Sequence, residues 1–184
     1  TYKFLTNKEL RESTIAISGI GKVGSKLSKI LFEKKANLIV SNIGRDPIDR
    51  LKHDKISFTE SDINSIFEQE CDIISPCALG RAINSETKKK LKCKAIIGAA
   101  NNQLDKSETA EWLKENNIFY APDYLVNSGG VIAISCEINN SEDTLDDQLN
   151  KISDKVLLLL KESKKSSLST DKIVEDLAWK RINI

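Results

Sequence analysis

The chain has no methionine, a single histidine, three prolines and few aromatic residues, which make up 5% of its 184 positions. Any imidazole base in the chain would have to be His53, yet it lies in the polar stretch RLKHDK, where a surface position is expected. The four cysteines, Cys71, Cys77, Cys93 and Cys136, are irregularly spaced and form no C-x-x-C pair. Reduced, half-buried thiols are expected in place of a disulfide or zinc site. Neither sign of charge is in excess: 28 Lys and Arg stand against 27 Asp and Glu, a net charge of +1. No global field therefore recruits nucleic acid or an anionic membrane surface. No apolar run approaches the roughly 20 residues that span a bilayer. The polar opening TYKFLTNKEL has no signal-peptide core. Neither nucleic acid nor membrane is expected as a partner, and a cytoplasmic location is the default. The missing methionine, with Thr1 in first position, leads to the expectation of a processed chain or a domain of a longer protein.

What is present reads as an ordinary globular composition, 40% hydrophobic and 30% charged, of a length that suits one core. STIAIS (13–18) is short, apolar and β-branched, as a parallel strand buried on both faces should be. SGIGKVGSKL (18–27) then runs through a glycine turn into a helical pattern. Val23, Leu27, Ile30 and Leu31 are expected on its buried face and Lys26, Lys29 and Lys34 on the other. ANLIVSN gives the next strand, completing a βαβ unit. The alternation continues with DINSIFEQE as a short helix, CDIISPCA as a strand, NSETKKKLK as a short helix and KAIIGAANN as a strand. KSETAEWLKENN follows as a helix, then IFYAPDYL as a strand entering a loop. The basic run KKKLKCK lacks interleaved aromatics and reads as a solvated helix face. From Leu145 the pattern is purely helical, with Leu149, Ile152, Val156 and Leu160 on one stripe. A last helix capped by Ser169 or Thr170 carries Ile173, Val174, Leu177 and Ala178. The expected fold is α/β: a Rossmann-type, doubly wound, mostly parallel sheet (1–140) with a C-terminal helical extension (141–184).

Gly19, Gly21 and Gly24 have the spacing G-x-G-x-x-G between a strand and a helix. The first allows the tight turn, the second a close approach to a pyrophosphate, and the third close helix–strand packing, while the helix N-terminus attracts the anion. A dinucleotide is the implied ligand. About 20 residues on, where a carboxylate would bind the ribose diol, stands Asn42. An amide does not repel a 2′-phosphate, and Ser41 and Arg45 are near enough in sequence to help bind one. NAD is the expected cofactor, with NADP left open. Three more strand ends carry small and amide residues: SPCALG (75–80), GAANNQ (98–103) and PDYLVNSGG (122–130). Each alone could be a plain turn. Together on one edge of a parallel sheet they suit a nicotinamide and its ribose.

SPCALGRAIN, GAANNQL and APDYLVNSGGVI, in this order after GIGKVG, resemble the C-terminal, cofactor-binding domain of the glutamate/leucine/phenylalanine/valine dehydrogenase family, closest to its leucine-specific members. The resemblance covers essentially the whole chain and implies reversible NAD(P)-dependent oxidative deamination of an L-amino acid to a 2-oxo acid and ammonia. It implies that Gly19, Ile20, Gly21, Lys22, Val23 and Gly24 cradle the pyrophosphate and that Asn42 faces the adenosine ribose. It places Cys77, Ala78 and Leu79 along the cofactor cleft and Asn101 at the nicotinamide ribose. Asn127 would lie near the carboxamide and the substrate's amino-acid head. Val131 and Ile134 match positions bordering the substrate side chain. Glutamate-specific members tend to carry a small hydroxyl residue where Ile134 stands, so an aliphatic substrate such as leucine or valine is expected. The family usually has an acidic residue at position 42 and often Asn at position 22.

The family's catalytic lysine and aspartate belong to an N-terminal domain whose motifs match no segment of these residues. The resemblance therefore implies cofactor binding without turnover by this chain alone, no catalytic residue, no metal, and a homo-oligomer when the protein is complete. The competing reading is a non-catalytic nucleotide-sensing module, like the regulatory domains of potassium transport systems, or a pseudoenzyme fragment. The first of these gives no reason for GAANNQL or PDYLVNSGG.

Overall fold

A computed structural model describes residues 1–182. In chain order the elements are α1 (Tyr2–Thr6), β1 (Thr14–Ser18), α2 (Lys22–Glu33), β2 (Asn37–Ser41), α3 (Arg45–His53), β3 (Thr59–Glu60) and β4 (Ile73–Pro76). Next come β5 (Ala95–Ile96), α4 (Ser107–Glu115), β6 (Phe119–Tyr120), α5 (Asp123–Val126), α6 (Gly129–Ile138), α7 (Leu145–Ser163) and α8 (Thr170–Ile182). The six strands form one wholly parallel sheet in the order β3-β2-β1-β4-β5-β6. This is the doubly wound order, and its direction reverses between β1 and β4.

The centre of the sheet is dry on both sides because successive side chains of a strand face opposite layers. Ile15 and Ile17 of β1 join Leu38 and Val40 of β2 in one core layer, covered by Leu31, Ile48 and Leu51 of α2 and α3. Val156, Leu159, Leu160 and Ile173 belong to that same layer, so α7 and α8 share the sheet's core. Ala16, Ile74 and Ile96 face the other layer, closed by Ile66, Phe67, Ile83 and Leu113. At the lower end, Glu70 bridges Lys92 and Ile73 pairs with Ala95, so Cys71 and Cys93 stand side by side just before β4 and β5. All four cysteines are free thiols.

Several elements differ from the sequence reading. Along α2 the buried residues are Gly24, Ser28 and Leu31, with Leu27 half-buried, whereas Val23 (57%) and Ile30 (46%) are exposed. Small residues face the sheet because the helix lies close against it. The stretches 62–70 and 84–92 form only short 3-10 turns, at Ile66–Glu68 and Thr87–Lys90. α3 is an unforeseen helix that buries just Ile48 and Leu51. Beyond β6 the chain enters α5 and α6 instead of an extended loop. In α8, Ser169 Oγ accepts the Lys172 N–H at 3.4 Å as the expected cap. Ile173 is buried there, but Leu177 and Ala178 are exposed.

Candidate functional site

The site lies along the C-terminal edge of the sheet, where the chain leaves β1, β2, β4, β5 and β6. Gly19 leaves β1 with φ +99°, a conformation costly for any residue with a Cβ. A Cβ there would also meet that of Ala78 at 2.6 Å. Its N–H donates to the Ser41 carbonyl (2.8 Å), tying the turn to β2. A Cβ on Gly24 would lie 2.0 Å from the Gly19 carbonyl oxygen, so the first turn of α2 rests directly on the glycine turn. Gly21, between them, has nothing within 4 Å of its Cβ position. It caps α2 without a side-chain bond, and no acidic residue occupies the first helical turn. The first N–H groups of a helix have no carbonyl partner within it. Gly21, just before them, borders open space at the positive end of the helix dipole. The cradle fits a diphosphate: two glycines close the turn from behind and the third leaves room in front.

Asn42 follows β2. Its Oδ1 accepts the Ile20 N–H (2.8 Å) and its Nδ2 donates to the Gly44 carbonyl (2.8 Å), so the amide fastens the glycine turn to the loop after β2. Ile20 is buried, while Lys22 and Val23 are exposed at the mouth of the turn. Ser41 Oγ is buried without a hydrogen-bond partner. Arg45 is held by Glu60 (2.5 Å) and Asp49 (3.2 Å). Neither residue is thus displayed as a ready phosphate ligand.

On the other side of the switch point, the Cys77 N–H donates to the Ser18 carbonyl (2.7 Å), and Ala78 packs on Gly19. Cys77 is half-buried with Sγ 3.5 Å from Ser75 Oγ, and Leu79 is exposed. The next two loops are joined directly. Asn127, at the end of α5, donates Nδ2 to Asn101 Oδ1 at 2.5 Å. The sequence points to both asparagines but not to what supports them. Gln103, fully buried, donates Nε2 to the Gly98 (2.8 Å) and Ala100 (2.9 Å) carbonyls. Its own N–H goes to Asp123 Oδ2 at 2.9 Å. Asp123 Oδ1 accepts the Tyr124 N–H (2.7 Å), fixing the start of α5. Gln103 and Asp123 thus brace the two loops that carry Asn101 and Asn127.

Around this brace, burial and then the carboxylates Asp123 and Asp171 push the Tyr120 phenol well above its usual range. Burial and then Asp171 do the same to Tyr124, whose hydroxyl donates to Asp171 Oδ1 at 3.0 Å. Both phenols stay protonated at neutral pH. Val131 (72%) and Ile134 (58%) sit three apart on α6, the helix that follows Asn127, and present an exposed apolar face. Among the described residues no group of three or more His, Cys, Asp or Glu could hold a metal ion, and no helix is long and apolar enough to cross a membrane.

A model of the glutamate/leucine/phenylalanine/valine dehydrogenase family matches residues 40–172. Leucine dehydrogenase of Thermoactinomyces intermedius is 36% identical over 95% of this chain and 48% of its own length. Phenylalanine dehydrogenase of the same organism is 34% identical over 99% of this chain and 50% of its own. Among solved structures, L-tryptophan dehydrogenase from Nostoc punctiforme superposes with a TM-score of 0.92 at 32% identity, covering 99% of this chain and 55% of that one. The chain spans about half the length of the curated relatives it matches.

Proposed function

Since the chain belongs to the glutamate/leucine/phenylalanine/valine dehydrogenase family, we propose that it is the cofactor-binding half of an NAD-dependent dehydrogenase that converts an aliphatic L-amino acid such as leucine to a 2-oxo acid and ammonia. Membership in this family implies a nicotinamide nucleotide. The observation that carries the reading is the contrast within the glycine turn: no room behind Gly19 and Gly24, open space before Gly21 at the N-terminus of α2. When bound, the cofactor supplies the hydride acceptor. This chain's own groups bind and orient. The N–H groups at the start of α2 receive the pyrophosphate, and Ala78 and Leu79 line the path across the switch point. The linked Asn101 and Asn127 present amides to the nicotinamide ribose, the carboxamide and the substrate's amino-acid head.

Val131 and Ile134 support the aliphatic assignment. A substrate carboxylate closed in against them would be desolvated without a partner, which costs several kcal/mol. A branched alkyl group gains about 0.8 kcal/mol per buried CH₂. The relatives named above act on leucine, phenylalanine and tryptophan, all apolar side chains. On this reading the pocket is completed by the other half of the relatives' length, turnover belongs to the complete protein, and that protein is a homo-oligomer. Calorimetric titration with NAD tests the core of the proposal. The unmodified chain is expected to bind and Gly21→Val, folded by circular dichroism, to lose at least tenfold in affinity. Unchanged affinity in the folded variant would remove the assignment of the turn.

A further inference from the structure

A crevice of about 530 Å³ opens between the ends of β2 and β3, next to the glycine turn, and its lining includes Asn42, Ile43, Arg45, Glu60, Asp62 and Ile63. Exposed Ile43 and Ile63 give it apolar flanks, and its charges are one cation against two carboxylates. We propose that Glu60, by holding Arg45, selects nucleotides whose adenosine ribose carries a free 2′-hydroxyl and rejects those with a 2′-phosphate. The inference rests on the reading of residues 19–24 as a dinucleotide cradle and deepens it.

Asn42 brings no charge to the choice, and both ends of its amide are engaged by the Ile20 N–H and the Gly44 carbonyl. Discrimination therefore falls to its neighbours. Arg45 Nη1 lies 2.5 Å from Glu60 Oε1, and its Nε lies 3.2 Å from Asp49 Oδ1. The other Glu60 oxygen takes Lys52 Nζ at 3.2 Å. Two of the three nitrogens of the guanidinium that would grip a phosphate bidentately are thus already paired with carboxylates. Asp62 adds a second negative charge on the same rim. The Ser65 hydroxyl, then the Asn64 and Ser65 N–H groups, keep its carboxyl below the usual range and hence ionised. A 2′-phosphate would have to share Arg45 with Glu60 and Asp49 while facing Asp62, whereas a diol meets no such opposition. Glu60 is accordingly a specificity residue acting through Arg45, at a position 18 residues beyond the one usually read for nucleotide choice.

The test is calorimetry on the chain with NAD, AMP and adenosine 2′,5′-bisphosphate at low ionic strength, where partly exposed charges are least screened. The unmodified chain is expected to prefer AMP. Glu60→Gln should bind the bisphosphate about tenfold more tightly, the scale of one charge a few ångströms away at a partly exposed site, with AMP affinity held within about twofold. Glu60→Gln combined with Arg45→Ala should lose that gain. Unchanged bisphosphate affinity in Glu60→Gln, or a gain kept in full without Arg45, would overturn this inference while leaving the cofactor reading intact. Failure of the unmodified chain to bind either NAD or AMP would overturn both.

Discussion

Gly24 lies so close beneath Gly19 that a Cβ on the former would stand 2.0 Å from the carbonyl oxygen of the latter. Gly24→Ala is therefore a stability variant as much as a binding one. Overpacking of this kind costs about 1–3 kcal/mol, which lowers Tm by roughly 2–4 °C per kcal/mol in a chain of this size. Gly21→Ala, with open space around it, should leave Tm within about 1.5 °C, equivalent to no more than ~0.5 kcal/mol. Thermal melts of the two variants side by side check the asymmetry, and equal shifts would contradict it.

The brace beneath the asparagines predicts a second pattern. Gln103→Leu leaves the Gly98 and Ala100 carbonyls without their donor in a fully buried place. Each orphaned group costs about 1–3 kcal/mol. Asp123→Asn keeps the shape but supplies one acceptor oxygen where Gln103 N–H and Tyr124 N–H need two, a loss of about 1.5–3 kcal/mol. Both variants should lower the denaturant midpoint and weaken NAD binding, because Asn101 and Asn127 lose their common support. A folded variant of normal stability and affinity would contradict the role of the brace.

If the complete protein is the proposed aliphatic amino-acid dehydrogenase, Ile134→Ser in it should reduce kcat/KM for leucine about 10- to 100-fold, the usual worth of small changes in an apolar pocket. Phenylalanine and valine should also lose, and glutamate should change least. Steady-state rates on the four amino acids decide it. Robust glutamate activity in the unmodified enzyme, or no loss of leucine activity in the variant, would remove the aliphatic assignment.

Asp171 predicts a pH signature. Burial first, and then the nearby carboxylates Asp123, Glu175 and Glu111, raise its pKa against the lowering effect of the Tyr124 hydroxyl. A carboxyl whose folded pKa is raised contributes its stability below the unfolded value and loses it as pH climbs through the folded one. At neutral pH its charged form is thus a net cost. Asp171→Asn, whose oxygen still accepts from Tyr124, should raise Tm at pH 7–8, with the gain shrinking as pH falls below the raised value. A gain that grows toward acid would reverse the sign of this argument.

Burial pushes Cys71 up to about 12, and burial together with its neighbour Cys71 pushes Cys93 up to about 12. At pH 8 each is then thiolate about one part in 10,000, against several per cent or more for an ordinary thiol. Iodoacetamide at pH 8 should leave both unmodified in the native chain and label them promptly in denaturant, as read by peptide mass spectrometry. Native labelling at the denatured rate would show that the lower end of the sheet opens readily.

The central βαβ unit was legible because β1 and β2 are short β-branched runs on either side of an amphipathic helix, and the glycine spacing sat between them. The face of α2 was misread for a physical reason. Apolar identity pointed to Val23 and Ile30, but closeness to the sheet selects small residues, and Gly24 and Ser28 took the buried stripe. α3 was missed because Ile48 and Leu51 are its only buried residues and Pro47 resembles a turn; the helix accepts that proline in its first turn. Asn-Ser-Gly-Gly masked the α5–α6 junction in the same way. In the site, GAANNQ and PDYLVN are legible as clusters of small and amide residues at strand ends. The inward turn of Gln103 and Asp123 depends on the spacing of β5 and β6, which a linear sequence does not carry.

β1 is the earliest of the six strands in the chain, yet it ends up in the middle of the sheet, with Ser18 paired to Pro76 on one side and to Ser41 on the other. During translation at about 5–20 residues per second, its second partner is completed roughly 3–12 s after β1 itself. Through that interval one flank of Ile15–Ile17 offers bare amide and carbonyl groups along a strongly apolar segment, the configuration that invites stray strand pairing. A nascent chain of this protein therefore has a vulnerable window bounded by the synthesis of β4. Synonymous-codon changes that slow the ribosome between residues 41 and 76 should increase the aggregated fraction more than the same delay placed after residue 120.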